Sequence, residues 1–436
     1  MKKLKEIKIN QDHIIAWGLI CILSYWLPNN LIKESLEGSF LYTPLHSLFF
    51  LIVYFFIFAM ILFAFGKDFR MVVIPYAIVI SLYIITVIAY PKNWVVLSTT
   101  LRQVFTFSLP ALCGMLALED FDYFFRKLAL VSPFIIFCGL LYYQYIENGT
   151  YDMGYGYALL LPILMQVWML INHKHMIFSA NMILLGSILT LMKGSRLPLF
   201  IIAVFFIISF ILDAVIINDR NKKYKINRFE FQIASSRVSV INLVLFLIIV
   251  IIIALFIANI SQFFGMISDW LTSIGITSRN IYKFSLNGGA TDGSGRDVFY
   301  RIDKQIIAGA PIFGYGLAGD CTQITIAFGK PFITDPETVN AVGNFAHSLI
   351  YQSMICFGIP IGLSLMFLLA FGIVLNFYTL KKPSYEFDFF MMIVVYEALQ
   401  AFYSINFPYE PLIWLLIGMI IKRLPVLNLN RINFVE

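Results

Sequence analysis

The feature that most constrains this chain is how often it runs the length of a membrane crossing without a charge. From Gly38 to Gly66, and again from Met71 to Tyr90, no residue is Asp, Glu, Lys or Arg. A helical crossing needs about 20 mainly apolar residues. Twelve such stretches are legible: 13–28, 44–66, 71–90, 103–118, 128–145, 157–172, 176–192, 197–217, 238–258, 348–379, 387–405 and 409–421. The tenth is too long for one straight crossing. It reads as an interfacial helix before Pro360 that then crosses.

Composition excludes the competing classes. The 436 residues are 60% hydrophobic and 13% charged, against roughly 45–50% apolar and about 25% charged in an ordinary soluble domain. So little charge cannot cover the surfaces of a soluble enzyme, solvate a disordered chain or build a nucleic-acid interface. The expected fold is an all-α polytopic membrane protein.

Loop charge sets the expected orientation. With Lys2, Lys3, Lys5 and Lys8 in the cytoplasm, alternate loops also place Lys67, Arg70, Arg126, Lys127, Lys174 and the cluster at 220–237 inside. Lys381, Lys382, Lys422, Arg423 and Arg431 join them, which puts both termini in the cytoplasm. The net charge of +6 is then mostly this bias. One local comparison runs against it, because Lys193 and Arg196 fall outside. The first apolar run ends at Trp26-Leu27-Pro28 without a small-residue cleavage site, so it reads as an uncleaved first span. Of the five cysteines only Cys321 lies in the outer loop, and no Cys or His cluster has metal-ligand spacing.

The chain therefore divides into spans one to nine (1–258), one long periplasmic loop (259–347) and spans ten to twelve (348–436). A loop of this length implies function or local structure. Asn287-Gly288-Gly289 and Asp292-Gly293-Ser294-Gly295 break it. A helix from Arg296 to about Ala308 follows, with Val298, Phe299, Ile302 and Ile306 on one face. Arg296, Tyr300 and Asp303 share another face, and Arg301 flanks the apolar stripe. Then comes the turn-forming run Gly309-Ala310-Pro311-Ile312-Phe313-Gly314-Tyr315-Gly316. Gly314-x-Gly316-x-x-Gly319 matches the dinucleotide fingerprint by spacing alone. It follows a helix instead of a strand and lies outside the cytoplasm, so that reading is rejected.

The outer arginines are the chemical signal. The loop carries six basic and seven acidic residues, so it is no generic polybasic surface. Arg196 lies at the outer end of the seventh span and Arg102 at the outer start of the fourth. Guanidinium groups at one membrane face suit a lipid-linked pyrophosphate. They equally suit snorkelling to headgroups or salt bridges to Asp297 and Asp303. His347, the only histidine of the loop, suits proton transfer from a hydroxyl or a structural hydrogen bond. Glu397, in mid-span, faces a bundle interior and pairs with an arginine or with sugar hydroxyls.

Three pieces in order carry a resemblance to a family. They are Gly194-Ser195-Arg196 at a span end, then Gly295-Arg296 followed by the amphipathic helix and Pro311–Gly316, then His347-Ser348 followed, after nine intervening residues, by Gly358. Together they resemble the O-antigen ligase and Wzy-type O-antigen polymerase superfamily over about residues 176–380. The sequence departs from the pattern at Ile361, where a small or polar residue is usual, and has Gly362 one place later.

The resemblance implies a GT-C-like membrane glycosyltransferase of the bacterial inner membrane, working at the periplasmic face. It implies a donor glycan on undecaprenyl diphosphate, with no cofactor and no metal. Arg296 and His347 are then the catalytic candidates, with Arg196, Arg301, Tyr300, Arg102 and Glu397 on the substrate. Membrane lipid and a polysaccharide chain-length regulator are the implied partners, with no nucleic acid. The third piece reads most like the polymerase branch; a ligase acting on lipid A core uses the same donor chemistry. A lipid-linked oligosaccharide transporter predicts internal repeats and charges along a central path. The sequence has no repeat and few intramembrane charges.

Overall fold

The computed structural model describes residues 10–147, 152–172, 174–210, 230–233, 236–239, 260–286, 296–328, 345–380, 384–403 and 409–424. They are almost wholly helical. In chain order the helices are α1 Gln11–Ser24, α2 Trp26–Leu36, α3 Tyr42–Lys67, α4 Arg70–Ala89, α5 Trp94–Gln103, α6 Leu109–Ala117, α7 Phe121–Tyr142, α8 Met153–Ile171, α9 Met176–Lys193 and α10 Arg196–Phe210. After them come α11 Ile260–Ser273, α12 Arg279–Ser285, α13 Arg296–Ala308, α14 Gly319–Ala327, α15 Leu349–Thr379, α16 Tyr385–Tyr403 and α17 Pro411–Arg423. The exception among the described residues is a short antiparallel hairpin, β1 Glu230–Ile233 with β2 Ser236–Ser239, in which Glu230 faces Ser239.

Among the described residues, seven helical stretches are long and apolar enough to cross a membrane: Tyr42–Lys67, Arg70–Ala89, Pro91–Ala117, Phe121–Tyr145, Met153–Ile171, Met176–Lys193 and Leu349–Thr379. The bent pair α1–α2, turned by 56°, makes an eighth if it counts as one span. The protein is thus membrane-embedded, and seven or eight such helices lie among the described residues, where not all of the twelve expected spans are accounted for. The shortfall has identifiable causes. Expected span nine (238–258) lies almost wholly outside the described residues, and α10 is described for 15 residues. α17 has 13, about 20 Å at 1.5 Å per residue, short of a hydrocarbon core about 30 Å thick. α16 carries Glu386, Asp388 and Glu397.

The fourth span begins earlier than expected. A 3₁₀ turn at Pro91–Asn93, α5, a π-helical turn at Val104–Ser108 and α6 run on as one stretch. α3 and α4 leave large apolar side chains uncovered, such as Phe55, Phe58 and Ile88. In lipid such faces carry no penalty, because the solvent is itself hydrocarbon.

The chain forms two compact units, residues 1–23, 48–125 and 293–436 in the first and 24–47 and 126–292 in the second. The first is centred on Val79, Leu97, Val104, Leu317, Leu349 and Trp414. A smaller cluster within it joins Ile324, Ala346 and Ile355 to Phe299, Ile302 and Ile306 of α13. In the second unit, Met192, Phe264, Leu271 and Ile281 pack together.

The first unit is organised around a break in α15. Gly358 has φ 77° and ψ 161°, a conformation essentially confined to glycine. There the segment 312–316 crosses the helix so closely that a Cβ on Gly358 would lie 1.8 Å from the Ile312 carbonyl oxygen. Tyr315 N–H donates to the Ile355 carbonyl and Gly316 N–H to the Cys356 carbonyl, both at 2.8 Å. In an unbroken helix those two carbonyls would take the N–H groups of residues 359 and 360. Residue 360 is proline and has none. The crossing segment supplies the missing donors, which makes irregular backbone tolerable at this depth. The change of course expected before Pro360 is seen as a break in α15 two residues earlier, at Gly358.

Candidate active site

Two of the three sequence pieces meet in the first unit. The Pro311–Gly316 run is the segment that crosses α15, and Gly358 is where it crosses. The turn is also held from the α4 side. Tyr90 Oη donates to the Gly314 carbonyl at 2.8 Å. Asn93 Nδ2 donates to the carbonyls of Tyr315 at 2.8 Å and Leu317 at 3.0 Å. Leu317 N–H donates to Thr86 Oγ1 at 3.1 Å. Ala318, at φ 58°, then reverses the chain into α14.

His347 precedes α15 by two residues. Its ring meets Phe299 of α13 edge-on at 4.8 Å and lies 4.6 Å from the Phe345 ring. Tyr300 is half-buried, with its ring T-shaped against Tyr351 at 5.8 Å. Arg301 is exposed on the same helix. Arg296 is the first residue of α13, and its side chain lies outside what the structure describes. The fold therefore brings His347, Tyr300 and the helix bearing Arg296 and Arg301 to one corner.

The other candidates make contacts of their own. Arg102 is exposed on α5, donates through Nε and Nη2 to Tyr54 Oη, and lies over the Phe50 ring at 5.2 Å. Arg196 belongs to the second unit, where its guanidinium lies over Phe284 at 5.7 Å. The preceding residues form a polar junction there, with Asn280 Nδ2 donating to the Gly194 carbonyl. Buried Lys193 donates from Nζ to the carbonyls of Ile146 at 2.8 Å and Glu147 at 2.7 Å. This explains why Lys193 runs against the charge bias: it caps backbone instead of presenting a surface charge. Glu397 is buried in α16, and neither carboxylate oxygen accepts a hydrogen bond. The ionisable group that acts on it is Glu410, an acid, in place of the arginine expected.

Two carboxylates at the corner had no functional reading in the sequence. Asp320, in the first turn of α14, is fully buried. Its Oδ2 accepts the Ala346 N–H at 3.1 Å and Gln352 Nε2 at 3.0 Å, and its Oδ1 accepts the Cys356 thiol at 3.5 Å. Asp303 of α13 is also fully buried, and neither of its oxygens accepts a hydrogen bond. The expected salt bridge from an arginine to Asp303 is therefore corrected: Asp303 sits beneath the helix with Ile302 and Ile306, not on its polar face.

Burial, and then the negative charge of Asp320, push the Asp303 carboxyl up to about 7. Burial also raises Asp320, but its four donors, the Cys321 N–H included, pull the other way. When two interacting acids sit in unlike environments, the one with donors ionises first. Asp303 thus carries the proton of the pair and Asp320 the charge.

Among the described residues, no three His, Cys, Asp or Glu side chains converge as a metal site requires. A groove of about 470 Å³ starts at Gln352, Ser353 and Cys356 and runs between the second half of α15 and α17, past Leu368, Ile417 and Ile420. Its polar end adjoins the Asp320 corner, and the rest is apolar. Comparison of the chain with protein-family models, with curated proteins and with solved structures finds no match.

Proposed function

We propose that the protein is a membrane glycosyltransferase of the GT-C type that joins oligosaccharide repeat units carried on undecaprenyl diphosphate, as an O-antigen or related surface-polysaccharide polymerase. The observation that carries the reading is the interlock of the Pro311–Gly316 run with the helix that His347 precedes. Those belong to two of the three pieces on which the resemblance to the ligase and polymerase superfamily rests. The arrangement suits the chemistry. As the glycosidic bond to the donor diphosphate breaks, the sugar becomes oxocarbenium-like and negative charge grows on the leaving pyrophosphate. Arg296 and Arg301, on the helix beside His347, are placed on the chain to stabilise that charge. His347 takes the proton of the attacking acceptor hydroxyl, in a slot narrowed by Phe299 and Phe345. The groove along α15 offers an apolar path for a polyprenyl chain next to this corner.

On this reading the protein lies in the bacterial inner membrane with both termini in the cytoplasm and the site at the periplasmic face. Its partners are the lipid-linked oligosaccharide, bilayer lipid and a chain-length regulator. A ligase acting on lipid A core uses the same donor end. The transporter reading is favoured by one observation, buried Glu397 beside half-buried Glu410 without a basic partner among their named interactions, since such groups mark ion or proton paths. Deletion of the gene, read on a lipopolysaccharide gel, separates these. Loss of a polymerase leaves core capped by one repeat unit. Loss of a ligase leaves bare core with polymer stranded on its carrier. Loss of a transporter leaves bare core with single repeat units retained on the cytoplasmic side. An unaltered ladder contradicts the O-antigen readings.

A further inference from the structure

The aim of the His347 ring is set by the backbone on which it stands. Residues 345–348 link the preceding loop to α15, outside any helix. Their neighbour is buried Asp320 on α14, which takes the N–H of Ala346, the residue directly before His347. The same oxygen takes Gln352 Nε2 from the first half of α15, and the second oxygen takes the Cys356 thiol one turn further on. One carboxylate therefore ties together α14, the His347 segment and the half-helix up to the Gly358 break. Its place in the first turn of α14 also favours the charged form.

Such wiring is more than filling. A buried charge with its donors supplied is costly to build, and removing it leaves its four donors turned inward without an acceptor. A hydrophobic core needs none of this. The other acid of the corner, Asp303, accepts nothing, so the corner distinguishes an acceptor from a bystander.

We propose that Asp320 is the positioning residue for His347, fixing its ring in the Phe299–Phe345 slot through the Ala346 N–H and the start of α15. The chemistry rests on the glycan-transfer reading; the geometry does not. Asp320 is not itself catalytic, since it is enclosed and touches the His347 segment rather than an acceptor sugar.

The test uses the full-length protein in lipid nanodiscs with two readouts. The first is the ¹³C-ε1 histidine NMR spectrum, with His347 assigned among the five histidines by its loss in His347→Gln. The second is turnover of a defined polyprenyl-diphosphate-linked oligosaccharide. In Asp320→Asn, the His347 resonance is expected to move and its titration midpoint to fall by at least about half a unit, because a neighbouring negative charge is gone. The kcat should drop on the order of 10²-fold with KM little changed and the melting temperature close to wild type. An unmoved His347 resonance, or a loss of activity that only tracks the folded fraction, overturns the proposal. Should Asp320→Asn not fold, Gln352→Ala keeps the carboxylate and the Ala346 bond but loosens the carboxylate's tie to α15; a displaced His347 resonance without a fall in its midpoint is expected, and no displacement is again contrary. A wild type that makes no glycan product sinks the transfer reading alone, while the NMR arm still decides the positioning role.

Discussion

α15 is one helix in the sequence and two in its surroundings. Its first half, from Leu349 to the break at Gly358, is wired: Gln352 and Cys356 donate to Asp320, and the carbonyls of Ile355 and Cys356 take N–H groups from another segment. Its second half exposes Leu363, Phe367, Leu368, Phe371 and Val374. The two halves are similarly apolar in composition. What separates them is Gly358, together with the Pro311–Gly316 turn of the loop that fits against it. The lesson is that a site at a membrane face can be made by interrupting a span and letting a loop complete its hydrogen bonds.

The comparison is broken most severely at the break itself. Gly358→Ala places a Cβ in the Ile312 carbonyl and forces a positive φ on a residue with a side chain. A loss above about 4 kcal/mol is expected, seen as failure to recover monodisperse protein from detergent. Wild-type yield and melting temperature for this variant would mean that the crossing is not built as described.

The next effect sits on α13, beside the wired half, and depends on pH. Asp303 has its carboxyl raised to about 7 by burial and by Asp320. The folded state therefore holds its proton more tightly than the unfolded chain. The stability this contributes is fully present below about pH 4 and is lost as pH rises to about 7. At about 1.4 kcal/mol per unit the loss is bounded at ~4 kcal/mol. Thermal melts of Asp303→Asn in nanodiscs should be flatter than wild type over that window. Parallel curves would remove Asp303 as the proton carrier.

Thr86→Val, which takes the buried acceptor from Leu317 N–H, should cost about 1–3 kcal/mol. Phe367→Leu, in the lipid-facing half, should stay within about 0.5 kcal/mol. A large effect there would mean that this face packs against protein and not lipid.

Much of this contrast was legible in advance. The apolar runs announce the long helices, and His347, Gly358 and the Pro311–Gly316 run stand out because each residue type restricts the backbone or carries chemistry. The count of spans was less legible, because a short apolar run such as 409–421 reads the same whether it crosses or packs beside a longer helix. Asp320 was invisible for a physical reason. It is one of seven acids in a polar loop, and its burial follows from contacts distant in sequence, the last of its donors, Cys356, lying 36 residues away. Asp303 was misread for a related one. A single Asp on an amphipathic helix is assigned to solvent by pattern, whereas tertiary packing turns it inward. Arg102 shows the converse: its sequence position looked functional, and the fold gives it to Tyr54 and Phe50.

The central claim is that the corner around His347 transfers a glycan between lipid-linked acceptor and donor. The most direct measurement is to incubate the purified full-length protein in nanodiscs with one defined polyprenyl-diphosphate-linked oligosaccharide. Both the oligosaccharide length and the released polyprenyl diphosphate are then followed. The account predicts dimers and longer chains, one polyprenyl diphosphate released for each new bond, and no product from folded His347→Gln. Products formed by His347→Gln at the wild-type rate, or a folded wild type that leaves the substrate unchanged, would contradict it.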